Sequence, residues 1–420
     1  MLETANNHHS QGERTYREAV SQGSYNTYTA NLLGKFDNAR LYWEDQTTRI
    51  ALLDPISSLL DDISTHVRVL DLGCGSGQGY DNLTRLERDH LSLEEAHDWL
   101  LPEDSLYYHG IDLSEAMVER GRKNYAHRSN IRFEKHDLNE GLANIKSEEE
   151  PFHIYYSSYG SLSHLQRHNL VNLLADIAEH GMNGSLVVLD LLGRYSLEWP
   201  RYWSAETEEE KYTHYTMSYL YLGDEEAMAK AEFFPIRFWA GAEIPLLIDE
   251  VNAKSGYEYA VPVQADRSIL IGRHSDTQEF NSEIPSIRSK INLLLEDHRR
   301  THLPSLLLDP SIVPDGAPVT AFLRKYIQCW NTLVEFTQKR VEKALRLTEV
   351  KGWSKFPAPL QFALMSMDRV INDINWMGFG DPRANILEPQ LAYTLQALER
   401  NLQQGLGVGH GLVVVLRLVK

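Results

Sequence analysis

The sequence contains little cysteine, no long apolar run and a shortage of positive charge. Only two cysteines, Cys74 and Cys329, occur among its 420 residues, and their wide separation excludes a disulfide framework. No segment approaches the roughly 20 apolar residues that a membrane-spanning helix needs, and the N-terminus lacks the charged-then-apolar pattern of a secretory signal. We therefore expect a soluble protein of the reducing cytoplasm that has no membrane partner.

The charge balance narrows the range of partners. The chain has 59 acidic and 41 basic side chains, which gives a net charge of −18. Nucleic acid is a disfavoured partner, because phosphate binding relies on clustered lysine and arginine. The paired histidines of "NNHHSQG", near the N-terminus, have no partner at helical spacing, so no metal site is predicted.

Between residues 36 and 192, apolar patterns of helical and strand type alternate. Strands separated by helices in this rhythm indicate an α/β fold with a parallel sheet covered on both faces. Strands are predicted at 67–72, 106–111, 131–136, 152–158 and 185–192, and helices at 36–60, 113–124 and 164–181, with an extra helical segment within 86–104.

The pattern changes after the fifth strand. Residues 211–222 and 229–239 predict a β-hairpin, and "YEYAVPV" with "RSILIGR" (267–273) predicts a closing antiparallel pair. From about residue 276 the chain is mostly helical, and its last stretch, "GHGLVVVLRLVK", is a strand that must find a sheet edge. The predicted division is a flexible N-terminal arm at 1–24, a ligand-binding domain at 25–275 with a hairpin insertion at 205–240 over the site, and a mostly helical C-terminal domain at 276–420.

A glycine-rich turn follows the first strand, in "VLDLGCGSGQG" (69–79). In parallel sheets, ligands bind beyond the carboxyl ends of the strands, and glycines let a ligand approach the backbone closely. A P-loop would need Lys-Ser or Lys-Thr after the last glycine, where this chain has Gln78-Gly79-Tyr80. A dinucleotide fingerprint fails because its sixth position, counted from Gly73, is Gln78.

The segment "VLDLGCGSG" closely resembles motif I of the class I S-adenosylmethionine-dependent methyltransferases. This resemblance implies a doubly wound, seven-stranded, mostly parallel sheet of the Rossmann-like type, with S-adenosylmethionine as cofactor. It also implies that Asp112 binds the ribose hydroxyls, where its charge strengthens the hydrogen bonds, and that Asp137 faces the adenine amine. The full set of predicted cofactor contacts is Asp71, Gly73, Gly75, Gly77, Asp112, Leu113, Asp137, Leu138 and Ser157.

The acceptor side is predicted from the segments that follow the fourth and fifth strands. In "SSYGSLSHL", His164 is a candidate general base and Tyr159 a second candidate catalytic residue. The alternative for His164 is a place in the first turn of the next helix. The segment "GRYSLEWPRYW" (193–203) combines arginine with aromatics, which suits a planar or anionic acceptor and also an ordinary packed loop. The predicted substrate contacts are Arg194, Tyr195, Trp199 and Trp203, with Tyr25 and Tyr28 in a lid.

These observations favour methyl transfer to oxygen or nitrogen of a small or medium-sized metabolite. Methyl transfer to a protein or peptide side chain is the alternative, with the C-terminal helices as a docking surface. A catalytically silent cofactor-binding subunit is a third interpretation, which intact glycines and acidic residues disfavour. The helical region also suggests a possible homodimer.

Overall fold

The computed structural model describes residues 13–21, 23, 36–63, 66–88, 98–343, 345–378 and 380–420. In the described residues a nine-stranded sheet lies between layers of helices. The strands are β1 (Val67–Leu72), β2 (Leu106–Asp112), β3 (Ile131–Lys135), β4 (Ile154–Tyr156), β5 (Leu186–Gly193), β6 (Tyr212–Tyr215), β7 (Phe234–Trp239), β8 (Glu258–Arg267) and β9 (Gly411–Val419). The helices are α1 (Glu13–Ser21), α2 (Asp45–Leu60), α3 (Gln78–Thr84), α4 (Glu115–Asn124), α5 (Ala143–Glu148), α6 (Arg167–His180), α7 (Glu225–Met228), α8 (Glu243–Ser255), α9 (Ile287–Leu294), α10 (Thr320–Val341), α11 (Ala358–Asp373) and α12 (Glu388–Leu402).

Seven strands form the main sheet in the order β3-β2-β1-β4-β5-β9-β8. The first five are parallel, and β9 runs antiparallel to both of its neighbours. The predicted hairpin, β6 with β7, joins the carboxyl end of β5 through two residue pairs, Leu192 with Phe238 and Gly193 with Trp239. The seven-stranded, mostly parallel sheet that the sequence predicts is therefore confirmed. The hairpin also forms, but its strands are shorter than predicted, because residues 216–222 and 229–233 form no strand.

The strand order places a ligand crevice at β1. Its neighbours are β2 on one side and β4 on the other, so the direction of winding reverses there. All but one of the β1 residues are buried, as expected of a strand covered by helices on both faces. The carboxyl ends of β1, β2, β4 and β5 therefore meet at one edge of the sheet, where open α/β sheets bind ligands.

The closing antiparallel pair differs from the prediction. The partner of β8 is β9, with Arg267 opposite Gly411, and residues 268–273 form no strand. Ser268 has φ +59°, which ends the extended chain directly after Arg267, and the apolar residues 269–271 enter the helical core instead. Consequently β9 lies between β5 and β8 rather than at a sheet edge, and its backbone is paired on both sides.

The helices α9 to α12 lie in the chain between β8 and β9 and pack around an apolar cluster that includes Trp330 and Leu391. They also hold the segment that leads into α2: the Trp43 indole donates to Glu399 at 2.9 Å. Within the predicted flexible arm, residues 13–21 form α1, which packs against α4. Among the described residues, no helix combines the length and the apolar content that crossing a bilayer requires.

Candidate active site

A cavity of about 1050 Å³ opens at the carboxyl edge of the parallel strands. Its walls come from the turns after β1 to β4, from the hairpin, from α1 and from the ends of β8 and β9. Six of the residues predicted to contact the cofactor line it: Gly73, Gly75, Asp112, Leu113, Asp137 and Leu138.

The turn after β1 needs its glycines for two physical reasons. Gly73, Gly75 and Gly77 all have positive φ, between +56° and +99°, a region that residues with a side chain rarely adopt. In addition, a Cβ on Gly77 would lie 2.5 Å from the ring of Tyr125. The bare backbone of this turn therefore faces the cavity on one side and packs tightly on the other.

Asp112 ties the end of β2 to that turn. Its Oδ2 accepts a hydrogen bond from the N–H of Gly75 at 2.8 Å, and its Oδ1 accepts one from the N–H of Ser114 at 2.9 Å. A carboxylate oxygen can accept more than one hydrogen bond. Asp112 thus presents a fixed acceptor pair at the cavity wall, which suits two neighbouring hydroxyl groups.

Asp137 follows β3 and lines the same end of the cavity. Its Oδ1 accepts from the N–H of Asn139 at 2.9 Å, which fixes the carboxylate at the start of a short helical turn. Leu138, the next residue, is half-buried at the wall. This acid and this apolar side chain are the arrangement that the resemblance assigns to the adenine.

Three predicted cofactor contacts do not line the cavity. Asp71 is fully buried beneath the turn, where its Oδ2 accepts from the hydroxyl of Tyr108. Burial raises the pKa of Asp71 to about 7, despite the hydrogen bond from Tyr108. Gly77 packs on Tyr125, and Ser157 is fully buried at the end of β4. These residues support the turn from below and do not line the cavity, and a direct contact with the cofactor stays a prediction for them.

The two candidate catalytic residues both line the cavity, in environments that fix their protonation. His164 is half-buried, its Nε2 lies 3.1 Å from the hydroxyl of Tyr16, and desolvation lowers its pKa to about 4. Tyr159 has φ +55° and donates its hydroxyl to Asp45 at 2.9 Å. Burial raises the pKa of Tyr159, although Arg40 lies over its ring at 3.9 Å. Neither side chain is poised to take up a proton near neutral pH.

The predicted acceptor contacts of 193–203 pack in the interior instead. Trp199 is fully buried, stacks on Phe238 at 4.2 Å and donates its indole N–H to the carbonyl of Gly193. Trp203 donates its indole N–H to the carbonyl of Ser196.

Arg194 and Tyr195 are likewise engaged away from the cavity. Arg194 donates to the carbonyls of Trp203 and Ala205, and its guanidinium lies 5.3 Å from the ring of Tyr195. None of the four predicted side chains lines the cavity. The loop is therefore a packed connection, because every polar group just described has a partner within it.

The remaining predictions concern the lid tyrosines, the extra helix, the hairpin insertion and the helical C-terminal region. Tyr25 and Tyr28 lie outside the described residues, as do 89–97 of the predicted extra helix. The hairpin insertion does line the cavity, through residues that include Tyr212, Tyr215 and Tyr219. By contrast, no described residue between 276 and 409 lines it. The helical region instead supports the wall, since Arg288 binds both Asp37 and Glu44.

Sequence reasoning missed four cationic or titratable residues at the end of the cavity near β8 and β9, which we call the acceptor end. They are Arg40, Arg267, Arg273 and His410. The guanidinium groups of these arginines form ion pairs with buried carboxylates. Arg267 pairs with Asp190 at 3.0 Å, and Arg273 pairs with Glu44 at 2.6 Å. The one local signal in the sequence was the motif Gly409-His410-Gly411, a histidine between two glycines at the start of a strand.

Glu198, His274 and His410 form a buried group near these arginines, with ligand-type atoms within 4.8 Å of one another. Hydrogen bonds already occupy His274: its Nδ1 contacts Ser218 Oγ at 2.7 Å and its Nε2 contacts the Tyr215 hydroxyl at 2.9 Å. Burial lowers the pKa of His274 to about 3. We interpret the group as a hydrogen-bonded network rather than as a metal centre.

The residues present at the other end of the cavity fit S-adenosylmethionine. A positive-φ glycine turn offers bare backbone, Asp112 offers paired acceptors, and Asp137 with Leu138 offers an acid beside an apolar surface. These residues therefore fit the nucleoside of S-adenosylmethionine, while Gln78 stands where a dinucleotide fingerprint needs its third glycine.

Comparison with known proteins agrees with this assignment. Residues 69–184 match a family model described as a methyltransferase domain. No curated protein matches the chain.

Three solved structures are similar, with the following values. A S-adenosylmethionine-dependent methyltransferase from Clostridium acetobutylicum is 11% identical, at a TM-score of 0.36, over 54% of this chain and 87% of that one. The S-adenosylmethionine-bound amino pentose methyltransferase CalS10 from Micromonospora echinaspora is 15% identical, at a TM-score of 0.32, and the match covers 58% of this chain and 89% of that one. The CcbJ methyltransferase from Streptomyces caelestis is 15% identical, at a TM-score of 0.33, and the match covers 52% of this chain and 81% of that one.

The assignment itself rests on the motif, the strand order and the family match, since the structural similarities are too low to add to it. Gly73, Gly75 and Asp112 occupy the positions in the fold that motif I and the second strand assign to them. Residues 69–184 therefore form a methyltransferase domain, with the motif and the strand order of the class I S-adenosylmethionine-dependent type.

Proposed function

We propose that this chain transfers a methyl group from S-adenosylmethionine to oxygen or nitrogen of a small or medium-sized metabolite. The single observation that carries the proposal is the continuous cavity of about 1050 Å³, which includes both Asp112 and the acceptor-end residues Tyr215, Arg273 and His410. Ligand pockets commonly measure about 300–1,000 Å³. This volume therefore suits a cofactor together with a compact acceptor.

The residues that line the cavity fall into two groups, one for the cofactor and one for the acceptor. The glycine turn, Asp112, Asp137 and Leu138 would hold the cofactor, which when bound supplies a methyl group on a positively charged sulfur. The hairpin tyrosines and the arginines would hold the acceptor at the other end. Holding two reactants in line converts a bimolecular encounter into an intramolecular step, which contributes about 7–11 kcal/mol in favourable cases.

The elements that line the cavity favour a metabolite over a protein acceptor. Tyr16 of α1 and Tyr212, Tyr215 and Tyr219 of the hairpin segment line the cavity. The α9–α12 helices, which the protein-acceptor alternative requires as a docking surface, do not reach the cavity. A compact acceptor needs no such surface.

The experiment follows tritium from methyl-labelled S-adenosylmethionine into two fractions of a cell extract, small molecules and protein, with the full chain as catalyst. We expect label in small molecules and none in protein, and no transfer by an Asp112→Ala variant. Label confined to protein would contradict the proposal and support the alternative. No label in either fraction, from a chain that binds the cofactor, would support the silent-subunit interpretation.

A further inference from the structure

A glutamate–histidine pair links the buried loop after β5 to the start of β9. Glu198 Oε2 lies 2.8 Å from His410 Nδ1. Both side chains are almost fully buried, Glu198 at 1% and His410 at 4% exposure. Because the two residues come from distant parts of the chain, only the folded sheet brings them together.

Glu198 is held as a fixed anion. Its Oε1 accepts the backbone N–H of His274 at 2.5 Å, and its Oε2 also accepts from Ser196 Oγ at 3.2 Å. The carboxylate packs on Gly272, where a Cβ would approach it to 2.2 Å. Burial alone raises the pKa of Glu198, but the nearby His410 and the hydrogen bonds lower it to about 2. An ionised carboxylate at His410 Nδ1 makes that nitrogen the one that carries the proton.

The other ring nitrogen of His410, Nε2, has no hydrogen-bond partner among the described residues. His410 lines the cavity, and Nε2 is not one of the buried side-chain atoms without a partner, so this nitrogen is accessible. The backbone fixes this position, since Gly193 donates to the His410 carbonyl at 3.2 Å and His410 donates to the Ser268 carbonyl at 3.1 Å. His410 therefore stands beside the carboxyl end of β5, on the edge of the sheet where the glycine turn lies.

The other histidines near the acceptor end are less suited to accept a proton. His164 contacts Tyr16 through Nε2, and burial lowers its pKa to about 4. His274 has both ring nitrogens bonded to hydroxyls. His410 alone among these three combines a carboxylate on one nitrogen with an unoccupied second nitrogen, within the described structure.

The paired charges around His410 favour an uncharged acceptor, such as an alcohol or a phenol. The guanidinium of Arg267 packs against Gly411, and Arg273 lies nearby with Glu44. Asp190 and Glu44 already pair with these guanidinium groups, so the two carboxylates do not balance an ammonium group, whereas an uncharged hydroxyl needs no counter-ion. Several charged and titratable groups surround His410 and its neighbour His274. They are Glu44, Glu198, Asp190, Arg267, Arg273, Arg288 and Tyr215.

We propose that His410 Nε2 is the general base that removes the proton of an acceptor hydroxyl, and that Glu198 is its positioning residue. The inference rests on the proposed function and names its acceptor class, an alcohol or a phenol. His410 takes the hydroxyl proton as the oxygen lone pair forms the bond to the methyl carbon and the carbon–sulfur electron pair remains on sulfur. The imidazolium then releases its proton to solvent, so atoms and charge balance.

A first test uses the full-length protein without cofactor or acceptor. Long-range ¹H–¹⁵N spectra of the imidazoles, assigned by difference with His410→Gln, report which nitrogen carries the proton. We expect the proton on Nδ1 of His410 in the wild type at pH 8, and a shift toward the Nε2-protonated form in Glu198→Gln. A wild-type spectrum with the proton on Nε2 would overturn the proposal, whatever the methyl-transfer assay gives.

A second test uses the methyl-label assay. General-base catalysis typically contributes 10²–10⁴-fold, so His410→Gln is expected to lower kcat by that factor and to leave the affinity for S-adenosylhomocysteine unchanged. Glu198→Gln is expected to lower kcat less and to shift the acidic limb of the pH profile. The exposed His302, outside the cavity, is the matched control as His302→Gln. A folded His410→Gln protein that retains kcat within threefold would overturn the proposal.

The labelled product gives a third readout. An O-methyl ether is stable in alkali and is not retained on a cation exchanger, which is the expected result. Volatile methanol after alkali would reveal a methyl ester, whose carboxylate acceptor needs no base, and retention on the exchanger would reveal a methylamine. Either of these results contradicts the inference and leaves the proposed function standing, whereas label found only in protein contradicts the proposed function itself.

Discussion

Asp112, at the end of β2, accepts a hydrogen bond from the backbone N–H of Gly75 at 2.8 Å, which joins the second strand to the turn after the first. The same carboxylate accepts the N–H of Ser114. Two strands thus share one anchoring acid at the cavity wall. The geometry of the turn and the position of the acceptor pair are consequently set together.

Asp112→Asn is expected to weaken the binding of S-adenosylhomocysteine by about 10- to 100-fold, because hydrogen bonds to a charged group contribute about 1.5–3 kcal/mol. An amide also turns an NH₂ group toward one of the two N–H donors. Titration calorimetry measures the effect, with Asp62→Asn, at an exposed position after α2, as the control. An unchanged Kd in the Asp112 variant would contradict the assignment of the ribose site.

Gly77→Ala is expected to destabilise the protein by at least about 2 kcal/mol more than Gly184→Ala. Both glycines have positive φ, +99° and +86°, so both substitutions strain the backbone. Only at Gly77 does the added Cβ meet a side chain, the ring of Tyr125 at 2.5 Å, whereas at Gly184 nothing lies within 4 Å. Urea unfolding of the two variants measures the difference, and equal losses would show that packing under the turn is loose.

Ionisation of Asp71 is expected to make the protein less stable as the pH rises. Burial raises the pKa of Asp71 from 3.8 to about 7 in the folded state, so its contribution is fully present below pH 3.8 and is lost as the pH rises through 7. Between pH 5 and pH 8 the loss amounts to about 2–3 kcal/mol. Asp71→Asn removes this dependence, and urea unfolding at the two pH values compares it with the wild type. Parallel losses in both proteins would show that Asp71 stays ionised.

Trp199→Ala is expected to lower the free energy of unfolding by about 3–5 kcal/mol without changing the Kd for S-adenosylhomocysteine. The reason is that Trp199 stacks on Phe238 and bonds Gly193 inside the core, away from the cavity. Thermal unfolding and calorimetry separate the two effects. Unchanged stability together with lost methyl transfer would restore Trp199 to the acceptor site, as the sequence predicted.

The parts of the fold that the sequence predicts correctly are those that depend on local patterns. The parallel strands appear as apolar runs, and the turn appears as glycines whose positive φ few other residues tolerate. The pairing of β8 with β9 was missed because Arg267 and Gly411 are opposite each other only after α9 to α12 have folded between them. A local pattern carries no information on which distant strand provides the partner.

The same limit explains the acceptor end of the site. Arginine and aromatics in 193–203 suggested a binding loop, but composition does not reveal which face of a loop meets a cavity. Arg40, Arg267 and His410, by contrast, come from three distant segments and were found only from the cavity. The cofactor end was more accessible, because one contiguous motif and the strand ends that follow it supply most of its residues.

The most direct test of the central claim is a crystal structure of the full chain grown with S-adenosylhomocysteine in excess. The account predicts the nucleoside in the cavity, with its ribose hydroxyls on Asp112 and its backbone-facing side against Gly73 and Gly75. A ligand bound elsewhere, or a cavity that excludes the nucleoside while Asp112 stays bonded to Gly75, would contradict it.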